Sequence, residues 1–297
     1  MATDIEPRSD TLLALGLHGF HGVHYLDWGR IDNPHIVVCA HGLTRNAHDF
    51  DYFARALAPD LRLVCPDMPG RGQSDWLDHK EDYGYPTYAN DCATLMARVS
   101  AHVGDPGASS PKVIDWVGTS MGGIIGLTLA AQPRSPIRRL VINDVGAILP
   151  KAALERIADY VGRNFRFASL DELERHLRVI AAPFGPLTDA QWRHLAGHGA
   201  KQHEDGMWTF SYDPGIAVPL QTAWDRDIDL WPLWDAIRCP TLILRGADSD
   251  LLLPEIAREM LTRGPKARLV EFPGIGHAPT LMSDDQIKVV RDFLLKA

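Results

Sequence analysis

The chain has 297 residues, 45% hydrophobic and 23% charged, with a net charge of −8. That length is ample for a large buried core and suits one α/β domain carrying an insertion. The acidic balance, with Lys and Arg dispersed, argues against a general binder of nucleic acid or anionic membrane.

The opening residues, MATDIEPRSD, are polar and acidic and lack the layout of a signal peptide. No stretch approaches the length needed to span a membrane. Residues 12–28 alternate enough to predict two antiparallel strands turning near Gly22. Residues 35–40 (HIVVCA) form a short apolar run between Pro34 and Gly42. Residues 47–58 have helical spacing through Phe50, Phe53 and Leu57. Residues 61–65 read as a strand ended by Pro66. Residues 88–103 place Cys92, Leu95, Met96, Val99 and Val103 on one helical stripe. A strand at 112–117 is followed by a helix at 121–131 and a strand at 140–143. Strand, helix, strand and helix then recur at 241–244, 256–261, 267–272 and 287–295.

Apolar strands alternating with helices predict a parallel sheet covered on both faces. The alternation breaks between about 145 and 240, where the pattern is helical and no strand is evident. That stretch carries Trp192, Trp208, Trp224, Trp231 and Trp234, five of the eight tryptophans. It predicts a helical cap at 146–239 over the carboxyl edge of the sheet, where open α/β sheets bind ligands. Residues 1–145 and 240–297 then form the core. Some cap tryptophans are expected to line a pocket there.

Residues 115–123 read DWVGTSMGG. Gly118-Thr119-Ser120-Met121-Gly122 is a G-x-S-x-G match, which is weak in isolation. Its placement after a strand and before a helix makes it specific, because a strained turn there exposes the serine oxygen above the sheet. The simpler alternative is a serine N-cap. With this motif the chain resembles the α/β-hydrolase superfamily, over nearly its whole length. The resemblance implies a mostly parallel eight-stranded sheet with helices on both faces and a helical cap. It also implies a serine hydrolase acting on a carboxylic ester or lactone through an acyl-enzyme.

A serine hydroxyl needs a base within hydrogen-bond reach and an acid behind that base. The order implied by the resemblance is Ser, acid, His. His277, in FPGIGHAP, is the last histidine of the chain and the expected base. The acid is expected in RGADSDLLLP, where Asp248 and Asp250 compete. Similar sequences often carry G-x-x-D-x-x-x-P, and here the interval from Gly246 to Pro254 is one residue longer. Anchoring on Pro254 selects Asp250. Asp144, in LVINDVG, stays open as a third choice, since some relatives place the acid after the preceding strand.

The resemblance assigns the oxyanion donors to the backbone N–H groups of Met121, after the nucleophile, and Leu43, in AHGLTRN. Such donors are worth roughly 3–4 kcal/mol each. His41 is then structural, its ring tying the loop down. In DMPGRGQSD (67–75), Gly70 and Gly72 permit a sharp loop, and Arg71 is expected to hold nearby carbonyls.

Other features carry blander readings. His18, His21 and His24 would point in different directions. His194 and His198 are i, i+4 with His203 near, but no HExxH glutamate lies between them. A polar surface is expected there, with no metal. Gly70-Arg71-Gly72 does not extend to a dinucleotide fingerprint, and no cofactor is expected. Cys39, Cys65, Cys92 and Cys239 lack a CxxC pair and read as buried thiols of a cytoplasmic protein. Two other functions share the pattern. Carbon–carbon hydrolases of ring-cleavage products use a similar SMGG but usually carry tryptophan after the histidine, where this chain has Ala278 and Pro279. A non-catalytic small-molecule receptor on the same fold is the other. Oligomeric state leaves no mark in the pattern.

Overall fold

The computed structural model describes residues 5–101, 113–222 and 226–296. In chain order the elements are β1 (Arg8–Gly16), β2 (Gly19–Trp28), β3 (His35–Ala40), α1 (Asp51–Leu57), β4 (Arg62–Pro66), α2 (Tyr85–Ala101), β5 (Val113–Thr119), α3 (Met121–Ala130) and β6 (Ile137–Asn143). Then come β7 (Ile148–Leu149), α4 (Lys151–Ala158), α5 (Leu170–Ile180), α6 (Asp189–Gly199), β8 (Ala200–Gln202), β9 (Trp208–Phe210), β10 (Ile228–Asp229) and α7 (Trp231–Ala236). The chain closes with β11 (Thr241–Gly246), α8 (Pro254–Met260), β12 (Arg268–Phe272) and α9 (Asp284–Leu295). The expected strand at 112–117 and helix at 88–103 each extend by one or two residues outside the described ones.

An eight-stranded sheet runs in the order β1-β2-β4-β3-β5-β6-β11-β12. The last six of these pair in parallel. The β1–β2 hairpin adds an antiparallel edge. Alternation along each central strand sends side chains to both faces. Val38, Ala40, Trp116, Leu140, Ile142 and Ile243 pack on the face covered by α2 and α3. Val37, Cys39, Val117, Val141, Leu242 and Leu244 pack on the face that holds Phe53 and Leu57 of α1 and Val290 and Leu294 of α9. Both faces are thus dry, as near-continuous apolar strands require.

The interval between β6 and β11 departs from expectation in one respect. Among the described residues it contains four short strands, forming the pairs β7–β10 and β8–β9. Each is two or three residues long, too short for a period of two to show. α7 returns to the sheet, with buried Trp234 packed in the same cluster as α3. Among the described residues, no helix is long and apolar enough to cross a membrane.

The strand–turn–helix at 113–130 depends on close backbone approach. A Cβ on Gly118 would sit 2.1 Å from the Gly122 carbonyl oxygen, and one on Gly122 would sit 2.0 Å from that of Ala40. No side chain fits either gap. With α3 pressed this tightly onto β3 and β5, Ser120 is left at φ 52°, ψ −113°, a costly conformation that persists only where its surroundings enforce it. Gly122→Ala is therefore expected to lower the unfolding free energy by about 3 kcal/mol, measured by denaturant titration; wild-type stability in that variant would contradict the close packing.

Candidate active site

Ser120 sits at the tip of the turn after β5, and its side chain makes no capping bond to α3. Its Oγ lies instead 2.9 Å from His277 Nε2. The backbone holds the turn from both sides: Ser120 N–H donates to Asn143 O, and Gly123 N–H donates to Ser120 O. His277 arrives on the loop between β12 and α9. Asn143 holds that loop, its Nδ2 donating to Pro279 O at 2.7 Å and to Thr119 Oγ1 at 3.0 Å.

The acid behind the imidazole is Asp144, and this corrects the expectation of Asp250. His277 Nδ1 is 2.8 Å from Asp144 Oδ2, and Gly246 N–H donates to Asp144 Oδ1 at 3.0 Å. Asp144 is fully buried. It directly follows β6 at φ 57°, a left-handed conformation that Asp tolerates better than most residues, and its own N–H donates to Leu244 O. The carboxylate is thereby fixed between the ends of β6 and β11. Asp250 lies elsewhere, in a two-pronged ion pair with Arg156 of α4 at 2.6 and 2.8 Å, with both side chains about half exposed. Asp248 donates its backbone N–H to Ile275 O, and it lines, as Asp250 and Arg156 do, a cavity that also reaches Ser120 and His277.

Ser120 and His277 lie in the wall of a cavity of about 580 Å³, within the usual range for small-molecule sites. Gly42, Leu43, Phe50 and Thr119 line it from the sheet layer, and segment 146–239 contributes a second group of lining residues. That group mixes the rings of Tyr160, Phe165, Phe184, Phe210 and Tyr212 with aliphatic residues such as Ile157, Leu177 and Leu195, and includes Arg156. The expected tryptophans are elsewhere. Trp192 and Trp234 are buried in packing clusters, Trp208 pairs with Phe167, and Trp231 carries the Arg263 guanidinium on its ring. Trp224 lies outside the described residues. Burial raises the Tyr160 hydroxyl above its ordinary range and pushes Tyr212 up to about 12, so both remain neutral at physiological pH.

Leu43 lines the cavity with Ser120, Met121 follows the serine in the chain, and buried Arg71 touches both residues. Its Nε donates to Leu43 O at 2.8 Å, its Nη1 to Pro69 O and Tyr88 Oη, and its Nη2 meets Met121 Sδ at 3.7 Å. The Met121 N–H opens α3, where no carbonyl four residues back can take it. Gly72 allows the Arg71 loop to close, at φ 53°, because a Cβ there would lie 2.2 Å from the Asp67 carboxylate. Burial raises the Asp67 pKa, but bonds from His24 and the Ala47 and Gln73 N–H groups outweigh it and leave the carboxyl below its usual range.

His41 ties this region together as a neutral ring. Its Nδ1 donates to Gly42 O at 2.7 Å, and its Nε2 accepts from Met68 N–H at 2.9 Å. The other histidines go separate ways: His18 to Asp82, His21 to Asp91 and His24 to Asp67. His203 meets Thr209. His198 approaches His48 and Asp51 within 4.8 Å, outside the cavity lining.

A family model described as the alpha/beta hydrolase family matches residues 37–291. The chain belongs to this family. It is an esterase-like member by its relatives. A 3-hydroxybutyrate-oligomer hydrolase from Cupriavidus necator is 42% identical over 300 residues, covering 98% of this chain and 99% of that protein. An esterase from Mycobacterium tuberculosis is 28% identical, covering 87% of this chain and 82% of that one. The solved structure of an alpha/beta hydrolase from Novosphingobium aromaticivorans superposes with a TM-score of 0.84 at 34% identity, covering 98% and 99% of the two chains.

Burial holds the His41 pKa at about 4, against an ordinary 6.5. The unfolded chain therefore takes a proton near pH 6.5 that the folded chain refuses until about pH 4. This residue's support is complete above pH 6.5 and is lost as the pH falls, by roughly 3 kcal/mol at pH 4. Unfolding followed from pH 7 to pH 4 should lose that much more stability in wild type than in His41→Gln; equal slopes would contradict it.

Proposed function

We propose that this protein is a serine ester hydrolase whose substrates are short linear oligoesters of a hydroxy acid. The carrying observation is the unbroken chain Ser120 Oγ, His277 Nε2, His277 Nδ1, Asp144 Oδ2 at the cavity wall, with both links under 3 Å. Segment 146–239 acts as the cap that supplies the second group of lining residues.

Ser120 Oγ attacks the ester carbonyl while His277 Nε2 takes its proton. Asp144 keeps the other ring nitrogen protonated and stabilises the imidazolium that forms. The backbone N–H groups of Leu43 and Met121 receive the developing oxyanion, and Arg71 holds the Leu43 loop from its carbonyl side. His277 returns the proton to the departing alcohol. Water then repeats the attack on the acyl-enzyme.

The substrate class rests on the relative from Cupriavidus necator and on the cavity. Apolar aromatic walls suit the methyl branches and backbone of a polyester, and Arg156 and Asp250 at the cavity offer polar partners for its hydroxyl and carboxylate ends. The free, largely buried cysteines fit a reducing, cytoplasmic setting.

Purified enzyme should hydrolyse the dimer and trimer of 3-hydroxybutyrate with a kcat/KM at least tenfold above that for ethyl butyrate, about 1.4 kcal/mol of added transition-state binding. Ser120→Ala should reduce kcat on every ester by roughly 10⁴ or more. Undiminished turnover in that variant would refute the mechanism, while faster turnover of simple esters, lactones or ring-cleavage dienes would refute the substrate class. The two aspartates separate cleanly. Asp144→Asn should lower kcat by about 10⁴, whereas Asp250→Asn, which breaks a half-exposed pair, should leave kcat within about fivefold. Steady-state kinetics of the two variants side by side decides between them.

A further inference from the structure

Beside the cavity, but outside its lining, three imidazoles surround one carboxylate. His48 lies in the single turn before α1, Asp51 opens α1, and His194 and His198 stand one turn apart on α6. One donor atom from each of His48, Asp51 and His198 lies within 4.8 Å of the others. His48 Nδ1 is 2.8 Å and His194 Nε2 is 3.5 Å from the same oxygen, Asp51 Oδ2. The His198 ring stacks on His48 with centroids 3.8 Å apart and tilts against His194 at 4.5 Å.

Two observations set this group apart from a chance surface pair. Asp51 is only 5% exposed, and its second oxygen, Oδ1, is buried with no hydrogen-bond partner. A buried carboxylate oxygen without a donor is costly to keep. The donors also come from both sides of a seam. His48 and Asp51 belong to the sheet-packed layer, whereas α6 belongs to segment 146–239. Direct bonds already stitch the seam, from Asn46 Nδ2 to His198 O at 2.7 Å and from His194 Nε2 to His48 O at 3.0 Å.

We propose that His48, Asp51 and His198 bind a zinc-class divalent cation, with water completing the shell. Two imidazoles and a carboxylate are the donor types such ions favour, and a tetrahedral shell accommodates the fourth ligand. Zinc–ligand distances near 2.0–2.1 Å require the donors to draw in to about 3.3 Å from one another, so binding turns the His198 ring, exposed on α6, out of its stack on His48. The ion would clip α6 onto the turn that follows the 41–45 loop, so that it stabilises the fold and slows any lifting of the segment over the cavity. Sequence spacing could not show the site, because His194 and His198 lie about 150 positions from their partners and no HExxH glutamate accompanies them.

The test uses the full, untagged chain, stripped with chelator and titrated with zinc chloride by calorimetry, with magnesium chloride as control. One saturable zinc site per chain in the micromolar range or tighter is expected, together with a melting temperature raised by several degrees and an X-ray absorption spectrum showing imidazole ligands. Because His198 is exposed, His198→Ala should fold normally by circular dichroism and bind zinc at least about tenfold more weakly; Asp51→Asn should do the same. His79→Ala tests the other stacked pair, His18 with His79, and should bind like wild type. Binding that does not saturate, binding unchanged in His198→Ala, or binding lost in His79→Ala would each overturn the proposal.

Discussion

The site depends on the contact between the first turn of α3 and the ends of β3 and β5. Backbone there meets backbone, with only hydrogen atoms on Gly118 and Gly122 in the gap. That contact forces the left-handed turn at Ser120, and the turn keeps the hydroxyl off the helix end and available to His277. The strain is local and the resistance to it is distributed. The Asn143 carbonyl holds Ser120 N–H, and the Asn143 amide holds the loop that carries the imidazole. One residue, through its backbone carbonyl and its side-chain amide, thus ties together two groups that are 157 positions apart in sequence.

A second layer of buried polar groups supports the opposite side of the serine. Asp67, His24, His41 and Arg71 are all nearly or fully inaccessible, and each is hydrogen-bonded. Burying polar groups and an arginine in this way is weak evidence for stability, because desolvation offsets much of the gain. Its value here is geometric. Arg71 reaches the Leu43 carbonyl and Met121 Sδ with one guanidinium, so the residues proposed to donate to an oxyanion are anchored by a single rigid fork.

Much of this was legible in the chain itself. Apolar runs separated by helical periodicity marked the parallel sheet, and the glycines around Ser120 marked a turn that only a particular packing permits. His277 stood out because no later histidine competes. The acid was harder to read. Asp250 matched the spacing to Pro254, but linear spacing says nothing about which strand end faces the imidazole. The signal for Asp144 was its place immediately after β6, where an Asp at positive φ can turn its carboxylate toward β11. The tryptophans misled for a related reason: their area serves packing and cation contacts, while phenylalanine and tyrosine line the cavity. The two-residue strands of segment 146–239 were too short to leave a period at all.

Housing the acid on β6 changes what the loop after β11 has to do. The Asp248 and Asp250 carboxylates are released from orienting the imidazole, while the backbone of 247–248 braces its loop, Ala247 N–H donating to Phe272 O and Asp248 N–H to Ile275 O. Residues 249–252 close a turn of their own, with Ser249 Oγ accepting from the N–H groups of Leu251 and Leu252, and Asp250 links that turn to Arg156 of α4 at the cavity lining. The length and charge of residues 249–252 can therefore vary without touching the contacts among Ser120, His277 and Asp144.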